Sequence, residues 1–160
     1  MMVIKIYIDA SNLKFGIEQS GWKLDYKRFF NWLKNKFGTE NMILFIGFIS
    51  DNQDIYKKLN SYGYQLNFRP TLLGKDGKIK GNVDGELILA VLIDYFENNL
   101  DQAIIISGDG DYYCVVEFLK NRNIPVTIIA PNKNYLSLLL KRANVPIIIL
   151  NELRPKLSIK

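Results

Sequence analysis

The chain has 160 residues, a formal charge of +5 and nearly half its residues apolar, which fits one ordinary globular domain with a sizeable core. It has no histidine and one cysteine, which excludes internal disulfides, Ser-His and Cys-His nucleophile pairs and every imidazole metal site. No apolar run approaches the thickness of a bilayer, and Met1-Met2-Val3-Ile4-Lys5 leads directly into a strand pattern without the layout of a signal peptide, so the expectation is a cytoplasmic protein with no membrane partner.

Val3 to Ile8 reads as the first strand, ended by Asp9, and Ala10-Ser11-Asn12-Leu13 turns into a short helix limited by Gly16 and Gly21. Asp25 is placed to cap the next helix, whose apolar face is Tyr26, Phe29, Phe30, Leu33 and Phe37 and whose stop is Gly38. Met42 to Ile49 reads as a second, buried strand. A helix capped by Asp51 or Asn52 follows, with Ile55, Leu59 and Tyr62 inward. The alternating Tyr64-Gln65-Leu66-Asn67-Phe68 reads as a third, more exposed strand near one edge of the sheet. Between Arg69 and Gly81 the chain carries Asp76-Gly77, a hairpin-turn signal, and four basic residues (Arg69, Lys75, Lys78, Lys80) against one acid.

Val83-Asp84 opens a helix to about Glu97 that is apolar on two faces. Ile88, Val91, Leu92 and Tyr95 form one, and Leu89, Ile93 and Phe96 the other. Such a helix is expected to lie between the sheet and either a second subunit or a neighbouring helix, so a homodimer is one expectation. Ile104-Ile105-Ile106 is a fully buried strand that runs through Ser107-Gly108-Asp109-Gly110-Asp111 into a helix with Tyr112, Val115, Val116 and Leu119 on its buried face. Cys114 within it reads as a small buried hydrophobe. Strands over 125–130 and 146–150 flank a helix marked by Leu136, Leu139, Leu140 and Ala143. Strands alternating with helices mean an α/β fold, a single-domain Rossmann-like parallel sheet with helices on both faces. The domain is expected to span residues 1–150, followed by a loosely held basic tail, 151–160.

Asp9 ends a strand, Asp84 begins a helix, and Asp109 and Asp111 follow the central strand. Taken singly, helix capping explains Asp9, Asp84 or Asp111. If the first and central strands are neighbours, Asp9 and Asp109 lie about 5 Å apart at the carboxyl edge, where open α/β sheets bind ligands. Carboxylates that close repel unless one is protonated or a cation joins them. With only oxygen ligands on offer, that cation is Mg2+ or Mn2+. Asn12 either bonds a strand-end carboxylate or caps the short helix. Ser107 binds a phosphate, holds a carboxylate or simply fits a tight turn.

Ile6-Tyr7-Ile8-Asp9-Ala10-Ser11-Asn12, Lys80-Gly81-Asn82-Val83-Asp84 and Ser107-Gly108-Asp109-Gly110-Asp111-Tyr112, in that order, resemble the NYN domain, and within it the LabA-like bacterial members of the PIN-like ribonucleases. The resemblance spans Val3 to about Leu150. It implies a PIN-like fold that binds magnesium or manganese in an acidic pocket and hydrolyses RNA with a metal-activated water. The family's acidic positions fall on Asp9, Asp84, Asp109 and Asp111, and its strand-one Asn on Asn12. Gly110 stands where many members have Ser, and Tyr112 where they often have Phe. The acid that many carry two turns after the Asp84 position is replaced by Ala90-Val91, with Asp94 too late to match. Under this reading Arg69, Lys75, Lys78 and Lys80 contact the phosphates of a single-stranded RNA, and Tyr62, Tyr64 and Phe68 stack on bases or pack in the core. The competing class is an RNA-binding or scaffold protein with a weakly active or inactive metal site. A phosphatase with an aspartyl nucleophile fits less well, because Asp9-Ala10-Ser11 lacks a second Asp, and no P-loop sequence is present.

Overall fold

The structure is a computed structural model that describes residues 1–75, 79–80 and 82–160, with the backbone alone for Leu73, Ile79 and Lys80. The strands are β1 (Ile4–Asp9), β2 (Met42–Phe48), β3 (Gln65–Pro70), β4 (Leu72–Leu73), β5 (Ile79–Lys80), β6 (Gln102–Ile106), β7 (Val126–Ala130) and β8 (Ile147–Ile149). Among the described residues seven helices accompany them: α1 (Ala10–Gln19), α2 (Tyr26–Phe37), α3 (Gln53–Tyr62), α4 (Asp84–Phe96), α5 (Tyr113–Lys120), α6 (Leu138–Lys141) and α7 (Arg154–Leu157). Six strands form one parallel sheet in the order β3-β2-β1-β6-β7-β8, while β4 and β5 pair antiparallel beside it. β3 is the edge strand, as its alternating sequence requires.

The two central strands explain the doubly wound form. Ile6, Ile8, Ile104 and Ile106 enter one core with α1, α2 and α7, and Tyr7 and Ile105 enter the other with α4 and α5. Successive side chains of a strand point to opposite faces, so an uninterrupted apolar run demands cover on both. The chain leaves β1 toward β2 and β3, then returns to place β6 on the other side of β1. That reversal is the topological switch point, which opens a crevice between the carboxyl ends of β1 and β6.

Local chemistry sets the helix ends. The Asp25 carboxylate accepts from the N–H groups of Lys27 and Arg28 at the start of α2, and Gly38 closes it at φ 67°. α1 differs from expectation: it runs through Gly16, because that glycine is needed for a close approach. A Cβ there would lie 2.2 Å from Pro131.

Several other expectations are corrected. α3 turns Tyr56 and Leu59 inward and leaves Ile55 exposed. α4 buries Leu87 and Val91 in the chain's own core, while Leu89, Ile93 and Phe96, the face expected to meet a second subunit or a neighbouring helix, are exposed on the single chain, with Phe96 in contact with Tyr95 and with Phe118 on α5. Cys114 is exposed, since α5 packs through Val115, Val116 and Leu119. The last helix pattern yields only the four residues of α6, with Leu139 exposed. The segment after Leu150 is not loosely held. Leu157 is buried, its carbonyl accepts from Asp25 N–H, Ile159 N–H reaches Lys23, and Asn151 accepts from the Trp22 indole. The Asp76-Gly77 turn, Lys78 and Gly81 lie outside the described residues.

Candidate active site

Register brings the acidic residues together. Ile8 pairs with Ile106, so the chain leaves the sheet at Asp9 and at Ser107 side by side. Asp9 is only 5% exposed and is bonded through both oxygens: Oδ1 accepts from Asn12 N–H at 3.2 Å and Oδ2 from the Tyr112 hydroxyl at 2.9 Å. The Asn12 side chain crosses between the two strand ends, its Oδ1 accepting from Gly108 N–H at 3.0 Å. Asn12 thus bonds the strand-end carboxylate as expected, but through its backbone N–H, while its side chain braces the Gly108 turn. Ser107 is fully buried and accepts from Asp109 N–H at 3.1 Å, so it shapes the turn. Asp109 in turn accepts from Asp111 N–H at 2.9 Å, which caps a 3-10 turn over Gly110–Tyr112.

Capping accounts for Asp9 and Asp109 but not for the other two. α4 begins after Val83 with no side-chain cap, and Asp84 accepts from the adjacent Gly85 N–H, which caps nothing. α5 begins after Tyr112, also without a side-chain cap, so Asp111 caps no α-helix. Asp111 instead lies close enough to Asp84 for the two carboxyls to act on each other.

The electrostatics follow from this crowding. Burial is the main reason the Asp9 carboxyl is raised above the usual carboxylate range. The bonds from Asn12 and Tyr112 oppose the rise, and the charges of Asp109 and Asp84 add to it. Asp111 is exposed yet also raised, first by the charge of Asp109 and then by the Asp84 carboxyl. The Tyr112 hydroxyl is raised by burial and by Asp9, so it remains a donor. An open cavity of about 530 Å³ lies here, lined by Asp9, Ser11, Asn12, Phe15, Asn82, Val83 and Asp109.

One loop braces the cleft. Buried Asn132 donates from Nδ2 to the Gly16 carbonyl at 2.6 Å, and its Oδ1 accepts from the N–H groups of Asn134 and Tyr135. On its far side Ser137 N–H donates to the Gly108 carbonyl at 2.8 Å. A Cβ on Gly108 would sit 1.8 Å from the Tyr135 carbonyl oxygen, so only glycine fits.

Other nominated residues fall elsewhere. Arg69 is paired with Glu86 at 3.0 Å. Lys75 is exposed, Lys78 lies outside the described residues, and only the backbone of Lys80 is described. Asp94 is bound to Lys5 and Tyr7, away from the cleft. Tyr64 is a core residue and Tyr62 packs against the core, whereas Phe68 is 39% exposed. Reading the sequence missed three residues. Tyr112, an apolar helix position and a motif residue with no role assigned, bonds Asp9; Asn82, named only within a motif, accepts from Asp84 N–H at 3.2 Å; and Phe15 stands on the cavity wall. The spacing of Asn12 and Phe15, three apart on one helix, was the signal that pointed to the last.

The donor set is entirely hard oxygen, which suits magnesium or manganese. Among the described residues no three acidic or thiol side chains are gathered closely enough to form a cage.

The family model of the NYN domain matches residues 3–150. The chain is 26% identical to the Low amplitude and bright protein LabA of Synechococcus elongatus over 94% of this chain and 85% of that protein. The crystal structure of a Vibrio parahaemolyticus protein of unknown function superposes with a TM-score of 0.75 at 20% identity, over 92% of this chain and 91% of the other.

Proposed function

The chain belongs to the NYN domain family, and from that membership and the chemistry of the cleft we propose that it is a metal-dependent ribonuclease that hydrolyses phosphodiester bonds of single-stranded RNA. The observation that carries the reading is one of charge. Asp9, Asp84, Asp109 and Asp111 act on one another at the switch point, with Asp9 buried among them. One or two of Asp9, Asp84, Asp109 and Asp111 would hold Mg2+ or Mn2+ directly, with the other carboxylates holding its waters. The ion, when bound, neutralises these acids and stabilises the charge that develops on the scissile phosphate.

The chain's own residues do the rest. Asn12 N–H and the Tyr112 hydroxyl fix the orientation of Asp9. Ser107 and the 3-10 turn fix Asp109 against Asp111 N–H. A cation binds the ionised carboxylates and competes with protons for them, so metal affinity rises with pH. Lys75, Lys78 and Lys80 supply phosphate contacts that carry no sequence information. Arg69 contributes less than they do, since Glu86 already holds it.

The test is cleavage of labelled single-stranded RNA with Mg2+ or Mn2+, with EDTA and Asp109→Asn alongside. Asn also caps turns well, so the variant keeps its fold. We expect loss of activity with EDTA and a fall of about a hundredfold or more in the variant. Equal cleavage by variant and wild type would reject the site. RNA binding without any metal-dependent cleavage would select the scaffold reading in its place.

A further inference from the structure

We propose that the exposed ring of Phe15, held in a T-shaped pair with Tyr135, is a stacking platform for one unpaired nucleobase beside the acidic cleft. The inference rests on the ribonuclease reading and adds how that site grips an unpaired strand.

Phe15 is 54% exposed, an unfavourable state for a large aromatic with no other use. A lone exposed apolar side chain on a plain surface needs no explanation. Phe15 is not on a plain surface. It lines the same 530 Å³ cavity as Asp9, Asn12 and Asp109. Asn12, which ties β1 to the Gly108 turn, lies one helical turn before it on α1.

The ring is also held. Tyr135 meets it at a centroid distance of 5.4 Å and an interplanar angle of 88°, the edge-to-face geometry that aromatic pairs favour. Asn132 fixes the turn that carries Tyr135 to the backbone of α1, and Gly16 lets Pro131 close against that helix. The Tyr135 carbonyl in turn lies against Gly108. Platform and carboxylates are therefore parts of one rigid unit, with a set distance between a stacked base and the cleft.

The carboxylates give an RNA phosphate no affinity of their own and repel it until a cation is bound. A π-face supplies attraction that is independent of charge and of base identity. A base within a duplex has both faces covered by its neighbours and cannot use the platform, so the occupant is an unpaired base. Exposed Lys14, next to Phe15 in α1, adds a positive charge for the backbone.

The experiment measures binding of a fluorescent eight-nucleotide RNA, by anisotropy, in EDTA and again in Mg2+. A strand of the same length made of abasic units is run beside it. We expect Phe15→Ala and Phe15→Leu to bind the normal strand about tenfold more weakly, and Phe15→Tyr to match wild type. On the abasic strand all four proteins should bind alike. Phe15→Leu keeps apolar bulk but has no π-face, so wild-type binding by it overturns stacking. Equal binding by wild type and Phe15→Ala overturns the platform while the ribonuclease reading stands. Wild type that binds no strand in either condition overturns both.

Discussion

Two of the chain's carboxylates are held by the same device with opposite charge balance. Asp94 accepts from the Tyr7 hydroxyl at 2.7 Å and Asp9 from the Tyr112 hydroxyl at 2.9 Å. In both pairs the tyrosine is fully buried. Asp94 has its cation built in, because Lys5 Nζ lies 2.9 Å away in a pair largely shielded from water. Asp9 has Asp109 and Asp84 for company instead. A carboxylate with its own lysine is part of the scaffold. One surrounded by further acids is unfavourable until a cation comes from outside. The two sit on the same strand neighbourhood, so the contrast is between charge environments and not between folds.

The comparison is broken most severely by exchanging the two acids for amides. Asp94→Asn strands Lys5 in a shielded place and should cost about 2 kcal/mol, read by urea unfolding in EDTA. Asp9→Asn should cost nothing in EDTA, since it removes a disfavoured charge and keeps an acceptor for Asn12 N–H. Equal losses in the two variants would erase the distinction.

The tyrosines sharpen it. Tyr7→Phe and Tyr112→Phe each remove one donor, at about 1 kcal/mol. Only Tyr112→Phe should also weaken Mn2+ binding, because its bond favours the ionised Asp9. Calorimetric titration of both variants decides this, and a parallel loss in Tyr7→Phe would speak against it.

The pH dependence has a definite sign. Asp9 holds its proton more tightly folded than unfolded, so its contribution is fully present below the unfolded carboxylate range. It is lost as pH rises through the raised value. Metal-free wild type should therefore lose stability across that acid-side window more steeply than Asp9→Asn, seen by thermal unfolding at stepped pH. Coincident curves would contradict the assignment. The smallest effect concerns affinity alone. Replacing Lys75, Lys78 and Lys80 by Ala should flatten the salt dependence of RNA binding by about one slope unit for each phosphate left without its lysine. An unchanged slope would take the hairpin out of the RNA path.

Much of this was legible from residue patterns. The Ile104-Ile105-Ile106 run and the Asp25 and Gly38 caps declare themselves locally, because burial on two faces and capping are local requirements. What stayed hidden depends on partners distant in the chain. Arg69 is taken by Glu86 across 17 positions and Tyr112 reaches Asp9 across 103. Leu157 docks on the start of α2 although its own segment is polar. The two-faced pattern of α4 does not say what covers its second face: within this chain the core takes Leu87 and Val91, and Phe118 of α5 meets only the end of the other face, at Phe96. Apolar periodicity reports which faces could be buried, whereas the topology decides which are.

The central claim is that the acids at the switch point take up a divalent cation while Asp94 does not. Manganese binding should be titrated by electron paramagnetic resonance in wild type, Asp109→Asn and Asp94→Asn. The account predicts one population of bound Mn2+ in wild type and in Asp94→Asn, and at least about a tenfold loss of affinity in Asp109→Asn. Equal affinity in all three proteins, or no binding by wild type, would contradict it.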